Sequence, residues 1–450
     1  MLQTNVLQAG FARVNVTPMM GINIRGYYIT RLAEAVLDEL EINALAVSDG
    51  NTKIVLLSLD SCGISRKTLL PIREHVAKVN DLPTEAVYIH TTHTHTGPNL
   101  EINTEDQLEK EYYQFVLRRM ADVAGFALKD LKPAKMGYGI GQAPKIGFIR
   151  RFRMKDGSTQ TNPGINNPDI AGPIGEVDER VNVLRFDREC GDHLVLVNYG
   201  NHPDVIGGNK ISADWPGFLR KEVEKGIDNC KCIFFNGCQG DINHINVHPT
   251  LSKEDWMSAS GEGAGYEHSK YMARALAGTV LQVYDKTKYL PVTSVRCKLR
   301  TIQIPTNMPT PEDDMAEAHR IDELYLAGKI HEVPGEAMMK VTIMAEAHRL
   351  VELEHGPAYY DMDISAIAIG NIVFIGMPGE GFTGIGVELK KAPGWDLILP
   401  TVLTNGSQGY FPMQDAYDEG GYEAKTSRFK PGIAEIIIEE GKKLMAELAE

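Results

Sequence analysis

KIVLLSLDSCGISRKTLLPIREHVAKVNDLPTEAVYIH, Lys53 to His90, decides the fold. Its opening, Lys53 to Leu59, is a continuous apolar run that reads as a buried strand. Arg66 to Val79 has helical spacing. Ala86 to His90 reads as a strand again. The same alternation continues outward. Glu105 to Leu131 reads as one or two helices, Asp192 to Tyr199 as a strand, Pro216 to Ile227 as a helix and Cys232 to Phe235 as a short strand. Strands alternating with helices predict an α/β architecture, a mixed β-sheet core with flanking helices. Asp156 to Glu179, rich in Gly, Pro and Asn, reads as one long loop of the kind that serves function.

The second half adds two features. Pro311 to Gly356 is strongly helical and charged, with a break at Val333-Pro334-Gly335, so a helical hairpin is expected as an insertion over 306–356. The echo between Ala316-Glu-Ala-His-Arg320 and Ala345-Glu-Ala-His-Arg349 is helix composition, and Met344 is expected to pack the hairpin. Ile364 to Met377 reads as a β-hairpin turning at Gly370-Asn371. No hydrophilic linker interrupts the chain, so 1–450 is expected to form one domain.

Composition narrows the function. The chain has 450 residues, 46 Lys+Arg against 60 Asp+Glu, a net charge of −14 and 43% hydrophobic residues. That is ordinary globular composition and excludes disorder, collagen and coiled coil. The acidic balance argues against a nucleic-acid groove, which needs clustered Lys and Arg. The N-terminus lacks the basic head and apolar core of a signal peptide, and Ile364 to Met377 is too short to cross a bilayer. Six cysteines are too sparse for a disulfide scaffold, and Cys230-Lys-Cys232 with Cys238 lacks the second pair of a zinc finger. Buried free thiols, a cytoplasmic location and no stable membrane association are expected. The expected partner is a small-molecule substrate, with a second copy of the chain where it self-associates.

The chemistry concentrates in His90-Thr-Thr-His93-Thr-His95-Thr-Gly97-Pro98. A continuing strand would place His93 and His95 on one face and His90 on the other. A lone histidine there would be a solvated strand end; the pair before Gly-Pro suits a metal ligand beside a general acid/base. His202 leaves the strand LVLVNY just before Pro203, which favours an extended backbone. Glu380 follows the hairpin strand inside Pro378-Gly-Glu-Gly381, as a turn residue or as a carboxylate aimed at a metal. Tyr410, Tyr417 and Tyr422 stand in a Tyr- and Gly-rich stretch that suits a binding loop. Arg150 and Arg151 belong to an Arg cluster that would clamp a carboxylate or carbonyl, or remain a solvated patch. Asn236 to His244, with Asn243 and His244, is a further rim loop. Asp214 is either a partner of a ligand histidine or the cap of the helix behind it, and Asp60 carries the same ambiguity. There is no G-x-S-x-G elbow, H-E-x-x-H helix or P-loop.

Together these motifs resemble the catalytic domain of the neutral/alkaline (non-lysosomal) ceramidases. Gly10-Phe-Ala-Arg-Val-Asn-Val-Thr-Pro18 is similar to that family's start, His93-Thr-His95-Thr-Gly-Pro98 to its T-H-T-H-S-G-P and Pro378-Gly-Glu380 to its P-G-E-F-T. The spacing of Tyr410, Tyr417 and Tyr422 follows its tyrosines, and the match spans residues 8 to 430. The resemblance implies an α/β fold with a metal site at strand C-terminal ends and a zinc amidohydrolase activity. It implies Zn2+ held by His93, His202, Glu380 and Tyr410. His95 would be the acid/base, and Tyr422 and Arg150 would contact the scissile carbonyl. Arg151, Asn243 and His244 are expected to line the substrate pocket.

Asn243 stands where the family's G-D-V-S-P-N loop has the serine needed for activity, so serine-dependent chemistry is not expected. The family's C-terminal immunoglobulin-like domain is not expected after the tyrosines. The expected function is therefore hydrolysis of an amide (N-acyl) bond in a small soluble substrate by metal-activated water. Alternatives are a zinc hydrolase of an ester or carbohydrate derivative, and a metal- or ligand-binding protein of the same fold without turnover.

Overall fold

The computed structural model describes residues 6–248 and 262–449. Nine strands form the larger sheet: β1 Gln8–Asn15, β2 Glu41–Ser48, β3 Lys53–Leu59, β4 Val87–Thr91, β5 Lys132–Gln142, β6 Arg180–Arg188, β7 His193–Tyr199, β8 Cys230–Asn236 and the short β9 Lys288–Leu290. Their spatial order is β8-β7-β6-β5-β1-β2-β3-β4, with β9 beside β5. The sheet is mixed, as expected. β3 and β4 run parallel, as do β7 and β8, while the strands between them are antiparallel. Parallel neighbours need a crossover, and helices supply both: α1 Arg66–Val79 between β3 and β4, and α3 Asp214–Gly226 between β7 and β8.

The helices follow from local sequence. Ser65 caps α1 by accepting from the Thr68 N–H, and Leu69, Ile72 and Val76 form its buried stripe. Asp106 likewise caps α2 Gln107–Lys129, which packs Tyr112, Val116, Met120 and Val123 under the sheet. α4 Glu262–Tyr284 covers the far end beside α3.

The sheet curls until its end strands meet. The Ser58 hydroxyl of β3 donates to the Phe234 carbonyl of β8 at 2.7 Å, and the Asn236 N–H donates to His90 Nε2 at 2.9 Å. The exits of β4 and β7 are thereby brought to one place. A second sheet, in the order β10 Val295–Pro305, β11 Tyr359–Ile369, β12 Ile372–Gly376 and β13 Leu397–Thr401, packs against this closure. Tyr88, Phe235, Phe374 and Leu399 share that core. β11 and β12 are the expected hairpin around Gly370-Asn371.

Met315–Leu326 (α5) and Ala337–Leu353 (α6) form the expected helical hairpin, and Asp314 caps α5. Met344 is buried in a small core with Ala318, Ile321 and Leu350, separate from the sheets. The long loop expected over Asp156 to Glu179 is partly ordered as strands. Thr159–Thr161 and Ile170–Pro173 flank Arg151–Met154 in a three-stranded sheet. Gly157, Pro163 and Gly164 sit at the turns between those short strands, and Gly172 and Pro173 lie within one of them, which masks the pattern.

Candidate active site

The strand does not continue through the histidine motif. β4 stops at Thr91, and His93 takes a positive φ of 78°. A left-handed residue is costly for a side chain with a Cβ. Here the backbone is fixed by the His93 N–H donating to the Ser61 carbonyl and the His95 N–H to the Pro203 carbonyl. His93 and His95 therefore meet because the chain turns. Their Nε2 atoms lie 3.2 Å apart and their ring centroids 4.7 Å apart. His90 stays in the strand, buried against Phe235.

His202, at the exit of β7, brings its ring within 4.9 Å of that of His93. Its Nδ1 faces the Gln239 and Ile242 carbonyls, each at 2.9 Å. His93 Nδ1 faces the Cys62 carbonyl. Carbonyl acceptors on Nδ1 place the ring proton there and turn each Nε2 lone pair toward the centre, the usual arrangement behind a metal-ligating histidine. Glu380 comes from the second sheet. The two-residue strand Glu380–Gly381 pairs with Tyr410–Phe411, with Glu380 opposite Tyr410. Glu380 Oε2 lies 3.2 Å from His93 Nε2 and 3.1 Å from His202 Nε2, yet makes no aligned hydrogen bond.

Three buried ligand atoms from His93, His202 and Glu380 thus lie within 4.8 Å of one another. A buried carboxylate oxygen without a hydrogen bond, set between two imidazole Nε2 atoms, fits a divalent cation. Cys62, His93 and His95 also come within that distance. In that group the Cys62 Sγ approaches His93 at Nδ1, 3.9 Å away, the atom already turned to the Cys62 carbonyl. The first group is the better cation site.

Electrostatics agree with a site built around positive charge. Burial disfavours charge on Glu380, but His93 and His202 beside it hold its carboxyl well below the usual range. Burial likewise lowers His93, yet Glu380 and Cys62 together push the imidazole well above its usual value. His95 is held well below its ordinary value, first by burial and then by His93 and His202. Burial and then Glu380 push the Tyr410 phenol well above its usual value, against the opposing effect of Arg150. Tyr410 therefore remains protonated without a cation nearby.

Around this centre, Arg150 Nε donates to Glu423 at 2.7 Å and its Nη2 to the Gly240 carbonyl at 2.7 Å, while Nη1 stands 3.4 Å from His202 Nε2. Its guanidinium carbon lies 5.4 Å from the Tyr410 ring centroid. Tyr422 packs edge-on against Tyr410 at 5.6 Å and reaches the Tyr28 hydroxyl at 3.5 Å. His93, His95, Glu380, Tyr410 and Tyr422 all line one cavity of about 350 Å3.

Three expected pocket residues are elsewhere. Arg151 is buried, turned to the Gly420 carbonyl at 3.4 Å and to Glu419 at 3.7 Å, with its guanidinium over the Phe382 ring. Arg150 lies in the break between the strands Phe148–Ile149 and Arg151–Met154, and of the two only Arg150 faces the centre. Asn243 is held in its own loop region, donating to Asn162 at 2.9 Å and accepting from the Ile245 N–H. His244 packs 5.6 Å from His268. None of the three lines the cavity. Asp214 and Asp60 resolve as structural. Asp214 accepts from the Val205, Ile206 and Trp215 N–H groups and the Ser269 hydroxyl. Asp60 pairs with Arg220 at 2.6 and 2.9 Å. The six cysteines are unpaired as expected, although Cys190 is exposed.

Other residues at the centre carried no motif. Asp204 lies 3.5 Å from His95 Nδ1 and accepts from the Tyr27 hydroxyl. Tyr27, Tyr28, Tyr325, His348, Arg349 and Arg428 line the cavity from segments that sequence reading assigned no chemistry. The one available signal was Arg25-Gly-Tyr-Tyr28, two aromatics after a glycine in a loop.

No protein-family model matches the chain, and no curated protein matches it. Solved structures do. The neutral ceramidase from Pseudomonas aeruginosa aligns with a TM-score of 0.75 at 15% identity, covering 99% of this chain and 74% of that one. A ceramidase complexed with C2 aligns with a TM-score of 0.73 at 14% identity, covering 98% and 75%. The chain has a neutral ceramidase-like fold, in agreement with the resemblance read from its motifs. Among the described residues no helix is long and apolar enough to cross a membrane.

Proposed function

We propose that this protein is a zinc-dependent hydrolase that cleaves an amide (N-acyl) bond in a small substrate. One observation carries the reading: ligand atoms of His93, His202 and Glu380 lie within 4.8 Å of one another beside a cavity that His93 and Glu380 line. Tyr410, paired with Glu380 across the short parallel strands, is the fourth ligand in this reading. A divalent cation bound there supplies Lewis acidity toward the carbonyl and lowers the pKa of water. His93 would take part as the neutral imidazole, with its ring proton on Nδ1 toward the Cys62 carbonyl.

The chain's own groups divide the remaining work. His95 is neutral near pH 7 and accepts the proton of the attacking water at Nε2, then returns it to the leaving amine. Asp204 behind its Nδ1 steadies the ring. Arg150, immobilised by Glu423 and the Gly240 carbonyl, presents Nη1 toward the centre, and Tyr422 adds a hydroxyl. Both are donors for the oxygen on which negative charge develops. The six unpaired cysteines support a cytoplasmic location. Residues 306–356 act as an insertion into a single catalytic unit.

The test is metal analysis of the purified protein combined with assays on N-acyl amides, N-acylated sugars and aryl esters. About one zinc per chain with amide turnover is the expected result. Ester-only turnover would transfer the reading to an esterase. Bound zinc without turnover on any of these would leave a binding protein.

A further inference from the structure

The cavity over the candidate metal centre has an uneven wall. Tyrosines, histidines and arginines line it, and Ala345 is the only aliphatic side chain among its lining residues. A long acyl chain gains its binding free energy from apolar surface, at about 25 cal/mol per Å2 buried. In this wall that surface comes from aromatic ring faces and not from aliphatic chains. Tyr28, Tyr325 and His348 instead form an edge-on aromatic series with centroids 5.8 and 5.2 Å apart.

The charges are unbalanced as well. Three guanidinium groups face the cavity, those of Arg25, Arg349 and Arg428, against the carboxylates of Glu352 and Glu380. Glu380 belongs to the metal centre. Arg428 is paired with Glu352 at 2.8 Å, and Arg25 with Glu101. Arg349 is different. It is only 8% exposed, its Nε and Nη1 donate to the Lys425 and Asn307 carbonyls, and among the described residues no carboxylate lies within ion-pair distance of it. Carbonyls occupy two of its nitrogens, burial disfavours its charge, and the carboxylates of Glu346 and Asp313 offset that charge only from beyond ion-pair distance. In a protein of net charge −14 this is a local exception that an incoming anion would complete.

Resting on the amide-hydrolase reading above, we propose that the substrate is a short, hydrophilic N-acyl amide bearing a carboxylate, and that Arg349 is the residue that reads this carboxylate. The scissile amide lies over His93 and Glu380, and the anionic end lies under the helical hairpin between Arg349 and the tyrosine edges. A long-chain lipid amide finds no aliphatic channel among the lining residues of this cavity.

The experiment compares N-acetylglycine with N-acetylglycinamide, which differ in the carboxylate alone, and N-acetylglycine with N-hexadecanoylglycine. The zinc-loaded protein and its Arg349→Met and Arg349→Lys variants are each assayed for turnover and for ligand binding by calorimetry. N-acetylglycine should be favoured over its carboxamide by about tenfold or more in kcat/KM, with most of that ratio lost in Arg349→Met and part restored in Arg349→Lys. A merely structural Arg349 would weaken both substrates equally and leave the ratio intact. Preference for the carboxamide or for the hexadecanoyl amide overturns the proposal while the hydrolase reading stands. Absence of all turnover counts against the hydrolase reading. Calorimetry then still decides the anion site, since equal binding of N-acetylglycine to the wild type and Arg349→Met overturns it.

Discussion

The floor and the roof of the cavity are built on opposite principles. The floor is delivered by strand exits, with His93 after β4, His202 after β7 and Glu380 after β12. These segments are buried in the shared cores of two sheets and tied to neighbouring carbonyls. The roof is the hairpin α5–α6, which packs around its own small core and sends Tyr325, Ala345, His348, Arg349 and Glu352 into the same space. A rigid floor suits a constellation that tolerates little displacement. A separately packed roof can change what is admitted without disturbing it.

The sharpest way to break this contrast is at the floor. His93→Ala removes one candidate ligand and a neighbour of His95, so bound zinc and amide turnover should both disappear while circular dichroism stays native. Stoichiometric zinc retained in that variant would show that the floor is not the metal centre. The next effect is on stability beneath the floor. Arg220 and Asp60 are both buried and joined at 2.6 Å, next to the turn that carries the histidines. Arg220→Met strands the Asp60 carboxylate, and removing one partner of a buried pair costs about 3–5 kcal/mol. Urea denaturation should report that loss; a change below ~1 kcal/mol would mean that water or another group compensates Asp60.

How much of this was legible depended on how local the cause was. β3 and α1 end where the sequence pattern ends, because an apolar run and a capped amphipathic helix are decided by near neighbours. The meeting of His93 and His95 was also legible, though for a different reason. Strand alternation predicted a shared face, whereas a left-handed turn held by Ser61 and Pro203 produces it. Arg151 was grouped with Arg150 by adjacency, and the strand break at Arg150 separates them. Asp204 and Tyr27 were not legible at all. They meet across 177 positions of chain, and nothing near either residue signals the other. The roof's Arg349 looked like ordinary helix composition until its partners could be seen to be carbonyls.

Histidines of one motif also divide between support and chemistry, and pH separates them. His90 is fully buried and accepts from the Asn236 N–H, and burial followed by the nearby His93 lowers its pKa to about 3. In the unfolded chain it titrates near 6.5. Between those values the unfolded state binds the extra proton, so the stability contributed by neutral His90 is present above pH 6.5 and is lost as pH falls toward 3. The expected loss is about 1.4 kcal/mol per pH unit below 6.5. His90→Gln keeps an acceptor for Asn236 and cannot titrate. Its stability measured by urea denaturation at successive pH values should therefore fall less steeply than the wild type's by that amount. Parallel slopes would show that His90 is already protonated in the fold.

The smallest effect is expected at the roof. Tyr325 touches Tyr28 and His348 by ring edges at 5.8 and 5.2 Å and lies on a helix whose core is independent of the sheets. An aromatic pair of this kind is worth about 0.5–1.5 kcal/mol beyond its area. Tyr325→Ala should therefore raise KM severalfold and leave kcat and zinc content unchanged, because none of the strand exits below it would move. The measurement is steady-state kinetics on a short N-acyl amide with metal analysis of the same sample. A fall in kcat equal to the rise in KM would mean that the roof closes over the reacting groups and helps position them. The division between a chemical floor and a selective roof would then fail.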